Sequence, residues 1–125
     1  MERMIKSYRD LIVWQKSMVM VTAIYENTRR FPRDELYGLT TQIRRAAVSI
    51  PSNIAEGYSR NSTADDVRYL RIASGSLYEL RTQLEIAINL GYIKAIRFHS
   101  IEEVLTEIEK MLSSMIRKIA HVSKY

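Results

Sequence analysis

The sequence predicts an all-α protein: an up-down-up-down antiparallel four-helix bundle. Three observations carry this reading. Only 4 Gly and 2 Pro occur in 125 residues, too few turn formers for a sheet protein. Apolar residues recur at spacings of three and four through four long stretches, the period of a helix face. The breaks between these stretches are short, so consecutive helices must return beside one another. At this length the chain reads as one domain over residues 1–125. Such a chain buries roughly two-thirds of its unfolded surface and needs no disulfide or metal to hold it.

The first helix is expected over about residues 8–30. Ser7 with Asp10 three residues on has the form of a capping box. Leu11, Trp14, Met18, Val21, Tyr25 and Thr28 form one seam. Val13, Met20 and Ile24 form an adjacent stripe, so this helix is apolar over more than one face. A helix of that kind is central or is covered by a neighbouring subunit. FPRDE, residues 31–35, then breaks the chain, because Pro32 disfavours helix before it and can open the next one.

The second helix is expected over 33–58, with Leu36, Leu39, Ile43, Ala47, Ile50 and Ile54 as its apolar seam and Gly57 helping to release it. Within it, SIPSNIAEG places Pro51 where a carbonyl loses its partner, which predicts a kink. The flanking Ser and Asn side chains are suited to bond the freed carbonyls. A second, polar seam runs beside the apolar one through Gln42, Ala46, Ser49, Asn53 and Glu56. Gly75, Glu79 and Gln83 give a matching series on the third helix. Such a stripe is either a solvated face or a hydrogen-bonded network at a helix or subunit contact. Its amides and hydroxyls, bordered by small Ala46 and Gly75, favour the network, which must satisfy every buried partner.

The third helix is expected over 63–90. Ser62 and Asp65 cap it, Asp66 reinforces its positive end, and Gly91 stops it. Its seam is Leu70, Ala73, Leu77, Leu80, Leu84 and Ala87. The fourth helix is expected over 95–122, with Ile101, Val104, Ile108, Met111, Met115, Ile119 and Val122 apolar. A start at Ser100, with Glu103 completing a box, is the alternative; the earlier start keeps Ile96 and Phe98 out of a long loop.

No cysteine is present, which excludes disulfides, thiol catalysis and cysteine zinc sites. No apolar run reaches the length of a membrane span or signal core, so a cytoplasmic protein with no membrane partner is the expectation. The net charge is +5, and Arg outnumbers Lys by 13 to 6. Guanidinium groups fork phosphates and stack on aromatic faces, so an anionic partner is indicated, with nucleic acid first.

Several stretches carry a family resemblance: LIVWQKSMVM, IYENTRRFP, QIRRAAVSIPSNIAEGYSR and IASGSLYELRTQLEIAINLGYI. Over about residues 8–119 they closely resemble the bacterial four-helix-bundle family of 23S rRNA intervening-sequence proteins. The resemblance implies a homopentamer. It also implies kinship with the accessory variability protein of diversity-generating retroelements, a basic bundle that binds nucleic acid and a reverse transcriptase. It supplies a fold and a setting but no reaction. KAIRFHSIEEV, residues 94–104, carries no motif of that family.

In an up-down bundle the termini and the loop between the second and third helices share one end. That end collects Arg3, Lys6, Arg9, Arg60, Arg68, Arg71, Arg117, Lys118 and Lys124 against Glu2, Asp10, Glu56, Asp65 and Asp66, an excess of four positive charges. Tyr8, Tyr58, Tyr69 and Tyr125 fall there too. Tyrosines among arginines can stack unpaired bases while the arginines take phosphates; alternatively they pack the bundle end and the arginines pair with nearby aspartates. The opposite end balances Arg29, Arg30, Arg33, Lys94 and Arg97 against Glu26, Asp34, Glu35, Glu102 and Glu103. Arg44 and Arg45 lie mid-helix beside the polar seam, placed to line a subunit interface or channel, or to pair with Glu79 or Glu56. The expected nucleic-acid-binding residues are Arg60, Arg68, Arg71, Arg44, Arg45 and Lys118.

Catalytic readings lack their residues. Carboxylate-bridged metal bundles need Glu-x-x-His, and neither His99 nor His121 has Glu three residues before it. Arg117 and His121 stand one residue too close for the arginine–histidine pair of bundle ribonucleases. No phosphate loop or nucleophile motif is present. The expectation is a non-catalytic homo-oligomer without cofactor or metal that binds RNA, or else an adaptor offering a helical surface to a protein such as a reverse transcriptase.

Overall fold

A computed structural model of the chain describes residues 5–122. Four helices make the fold: α1 (Ile12–Thr28), α2 (Leu39–Ser59), α3 (Thr63–Asn89) and α4 (Ala95–Val122). α1 packs on α2 and α4, and α3 packs on the same two, while the diagonal pairs have no close backbone approach. This is the antiparallel up-down-up-down bundle. Arg3, Lys124, Glu2, Tyr125 and the side chain of Val122 lie outside the described residues.

The Ser7–Asp10 box forms, but it caps less than the expected helix. Asp10 Oδ2 accepts the Ser7 N–H at 3.2 Å, and Ser7 Oγ accepts the Arg9 N–H at 3.1 Å. These bonds close a single 3-10 turn, Tyr8–Asp10; Leu11 then runs extended, and α1 starts only at Ile12. Leu11 thereby lays its side chain against the core. The buried face of α1 is Val13, Ser17, Met20, Ile24 and Thr28, whereas Met18 and Tyr25 are exposed. The expected main seam is thus at the margin, and the adjacent stripe is the core. Ser17 hid this, donating to the Val13 carbonyl at 2.7 Å; Thr28, the one fully buried member of the expected seam, donates likewise to the Ile24 carbonyl at 2.8 Å. A hydroxyl bonded back to its own helix can be buried without an outside partner.

α2 begins at Leu39 rather than 33. After extended Pro32, residues Arg33–Glu35 form a separate 3-10 turn. Glu35 Oε1 accepts the Leu39 N–H at 3.2 Å, and its Oε2 accepts the Tyr92 hydroxyl at 2.8 Å. One carboxylate therefore opens α2 and ties it to the turn before α4, where Phe31 packs on Tyr92. Leu36 is left exposed, outside the seam expected of it. α2 continues through Pro51, which is buried beside Ile50 and Ile54. Ser52 Oγ donates to the Val48 carbonyl at 2.7 Å and Asn53 Nδ2 to the Ser49 carbonyl at 2.8 Å, so both flanks are bonded by side chains. Gly57 does not release the helix. It is buried two residues inside, with Asp66 and Tyr69 of α3 packed against it.

α3 matches expectation closely. Ser62 Oγ accepts the Asp65 N–H at 3.1 Å, and every residue of the expected seam is buried. Gly91 adopts φ 78°, with its N–H on the Ile88 carbonyl and the Tyr92 N–H on the Ala87 carbonyl, both at 2.9 Å. That pair of bonds is a Schellman stop. α4 starts at Ala95, before Ser100. Its deepest residues are Ile108, Leu105 and Leu112, with Ile101 beside them. The two leucines lie between the positions expected to be apolar, and Val104, Met111, Met115 and Ile119 flank them at the margin.

Arg81 clamps α3 to α4. Its Nη1 donates to Glu109 Oε1 at 2.7 Å and its Nη2 to Thr106 at 3.2 Å. Nε lies 2.9 Å from Glu102 Oε1, but its N–H is not aimed along that line, so this contact is ionic rather than a directed bond. The Tyr78 hydroxyl donates to the same Glu109 carboxylate. The Tyr78 and Arg81 bonds hold the Glu109 carboxyl below its ordinary range. A lowered folded value adds stability above the unfolded value, which is lost as pH falls through the folded one. Arg81→Ala is expected to cost about 1–2 kcal/mol at neutral pH and to flatten the decline in stability on acidification. Urea melts from pH 7 down to pH 3 measure both effects.

Candidate nucleic-acid interface

The α2–α3 connection builds one end of the bundle. α2 ends at Ser59, three residues turn the chain, and the last of them, Ser62, caps α3, which brings Glu56, Arg60, Arg68 and Tyr69 together. Arg60 Nη2 donates to Glu56 Oε1 at 2.7 Å and to the Tyr69 hydroxyl at 2.8 Å. Its guanidinium also sits over the Tyr69 ring, 5.0 Å from the centroid. Arg68 covers the same ring at 4.6 Å and stands 3.9 Å from Asp65. Tyr69 and Glu56 raise the Arg60 value above its ordinary one, so this cation stays charged at any working pH.

The arginines thus pair with nearby carboxylates and pack on Tyr69, as the second reading of this end expects. The Tyr69 ring is occupied by arginines and is not an open platform for a base. Tyr8 packs edge-on against Trp14, and Arg9 lies near both rings. Tyr58 remains exposed with no ring or hydrogen-bond partner among the described residues. Arg71 and Lys118 are exposed and have no ionic partner among the described residues. Seven described cations (Lys6, Arg9, Arg60, Arg68, Arg71, Arg117 and Lys118) face four carboxylates (Asp10, Glu56, Asp65 and Asp66), so the end keeps its positive excess.

Arg44 and Arg45 separate. Arg44 Nε donates to Thr28 Oγ1 at 2.9 Å, and its guanidinium lies 4.6 Å from the Tyr25 ring centroid. It latches α2 to α1 and is half-buried. Arg45 is exposed and lines a shallow groove on the α2–α3 face with Gln42, Ser49, Ser76, Glu79 and Gln83. It pairs with neither Glu79 nor Glu56.

That groove is the polar seam. Ser49 Oγ bonds Ser76 Oγ at 2.8 Å across the two helices, and Asn53 Nδ2 donates to Ser49 Oγ at 2.9 Å. Ser76 was missing from the expected series, although it follows Gly75 directly. Glu56 leaves the seam for Arg60. Gln42 and Glu79 are exposed, while Gln83 is buried with Oε1 unbonded. The network is satisfied at its centre only. Gly75 faces open space, so close approach of α2 and α3 occurs at Gly57 instead.

Among the described residues no group of three or more His, Asp or Glu side chains is placed to hold a metal ion. His99 pairs with Glu103 at 3.2 Å on the surface of α4. No described helix is long and apolar enough to cross a membrane.

No curated protein matches the chain. A crystal structure of a protein of unknown function from the S23 ribosomal protein family of Bacteroides thetaiotaomicron is similar to it, with 31% identity and a TM-score of 0.76, over 84% of this chain and 98% of that one. The family model of the 23S rRNA-intervening sequence proteins matches residues 9–114, which takes in α1, α2, α3, the α2–α3 end and α4 as far as Ser114. The chain belongs to the 23S rRNA-intervening sequence protein family.

Proposed function

We propose that this protein is a non-catalytic, homo-oligomeric RNA-binding protein that grips phosphates with little sequence preference. The observation that carries the reading is the α2–α3 end. Arg71 and Lys118 are exposed without counter-ions among the described residues, at the same end as the Arg60–Tyr69–Arg68 stack, whose two arginines are themselves exposed. The name of the family ties its members to ribosomal RNA, which makes RNA the first ligand to try. Stacked guanidiniums are held rigid at low entropic cost, and rigid forks suit phosphate oxygens.

An exposed apolar strip on α1 supports the self-association in this reading. Ile12 and Val19, seven residues apart on one outward stripe, are 60% and 67% exposed. Beside them, between α1 and α4, Leu11, Met111 and Met115 line an apolar cleft of about 440 Å³. A second copy covering this strip gives the ring that the resemblance implies, a pentamer. A ring repeats the basic end around its rim and multiplies its field.

The test is titration of labelled single-stranded RNA at two salt concentrations, with the particle mass followed by light scattering. Expected are binding at low salt, a steep salt dependence and a mass that is a multiple of 14.6 kDa. The triple variant Arg60→Glu, Arg68→Glu, Arg71→Glu should keep that mass. It should lose binding, with the slope of log affinity against log salt shallower by about 2. An intact oligomer that ignores RNA at low salt overturns the RNA reading, and a stable monomer overturns the assembly.

A further inference from the structure

The opposite end of the bundle balances its charges in the sequence but not in space. Arg29 and Arg30 follow the last turn of α1, and Lys94 and Arg97 frame the first turn of α4. All four line a single cleft of about 460 Å³, walled by Tyr92 and Glu26. Of the other carboxylates at this end, Asp34 and Glu35 belong to the turn before α2 and Glu102 and Glu103 to α4, and none of them lines the cleft. Glu35 accepts the Tyr92 hydroxyl and the Leu39 N–H. Glu102 pairs with Arg81, and Glu103 with His99. None of the four cations has a hydrogen-bond or ionic partner among the described residues. Only Glu26 remains in the wall, which leaves an excess of three positive charges. The first turn of α4 also carries no acidic residue.

The geometry points to an anion site in this cleft, built for a di- or triphosphate group. The volume falls within the range of small-ligand pockets. A single phosphoryl group brings a charge of about −1.5 to −2, too little for three uncompensated cations, whereas two or three linked phosphates match them. Three guanidiniums and one ammonium converge from two helix ends, so several oxygens can be forked at once. Tyr92 is held by Glu35 and by Phe31, so the wall of the cleft is set before a ligand arrives. The same chemistry is offered by a free nucleoside triphosphate and by the 5′-triphosphate end of an RNA. This site lies at the far end of the bundle from Arg60, Arg68 and Arg71, so it stands or falls apart from the RNA reading above.

Calorimetric titration of the full chain with tripolyphosphate and with ATP at low salt tests the site. Tripolyphosphate is expected to bind, and orthophosphate at least about tenfold more weakly. Arg29→Gln with Arg97→Gln, and separately Arg30→Gln with Lys94→Gln, should each weaken tripolyphosphate about tenfold or more. Arg68→Glu with Arg71→Glu should leave it unchanged. ATP binding as tightly as tripolyphosphate marks the free nucleotide as source. Preference for a 5′-triphosphate RNA over the same RNA with a 5′-hydroxyl, abolished by Arg29→Gln with Arg97→Gln, marks the RNA end. Absence of tripolyphosphate binding overturns the site, as does binding that survives both cleft variants while circular dichroism shows them folded.

Discussion

Leu105→Ala is expected to destabilise the bundle by about 2–5 kcal/mol, the range for truncating a fully enclosed leucine. Leu105 is 0% exposed and lies in α4 between Ile101 and Ile108, both also buried. Its side chain fills the centre of the bundle, where the surrounding core is made of rigid leucines and isoleucines from all four helices. Such a wall cannot collapse far into the space left, so the cavity cost adds to the lost transfer energy. Leu36→Ala provides the contrast. The periodicity put Leu36 at the head of the second-helix seam, yet it is 45% exposed in the turn before α2. Its truncation should stay within about 0.5 kcal/mol. Urea unfolding of the two variants side by side decides the matter. Equal losses would mean that α2 begins where the sequence reading had it and that α4 is rotated from the position described.

The pair also marks where sequence reasoning works and where it stops. α3 was legible nearly to the residue, because Ser62 and Gly91 bracket it and one unbroken leucine–alanine seam runs between them. α1 and α4 were legible as helices but not as faces. In α1 the buried stripe includes Ser17, which hydropathy scores as polar and its bond back to the Val13 carbonyl makes apolar in effect. In α4 apolar residues occupy more positions than the core needs, so Leu105 and Leu112 are inside and Val104 and Met111 flank them. Three-dimensional charge is harder still. Counting residues made the far end neutral, because a count does not know that of its five carboxylates only Glu26 lines the cleft with Arg29, Arg30, Lys94 and Arg97. Likewise Arg44 and Arg45 are neighbours of one chemistry, but one latches Thr28 and the other faces solvent.

Gly57→Val should be the most damaging change on the α2–α3 contact, costing about 3 kcal/mol and weakening RNA binding together with stability. A Cβ at this position would lie 2.9 Å from Asp66 Oδ1, 3.0 Å from Tyr69 Cβ and 3.2 Å from the Asp66 carbonyl oxygen. The carboxylate can swing aside, but the Tyr69 Cβ and the backbone oxygen cannot, since both belong to the capped first turns of α3. Relief requires α3 to move away from α2, at the overpacking cost of about 1–3 kcal/mol, and valine's second γ carbon takes it to the upper end. Alanine offsets part of the clash with about 1 kcal/mol of helix propensity, so Gly57→Ala should lose less. The functional consequence runs through Tyr69, the ring on which Arg60 and Arg68 both rest. If α3 shifts, those two guanidiniums lose their shared support and their fixed spacing. RNA affinity measured well below the melting temperature should therefore fall for Gly57→Val while Leu105→Ala, comparably destabilised, keeps it. Equal affinities for the two variants would show that the stack at Tyr69 has no part in holding the nucleic acid.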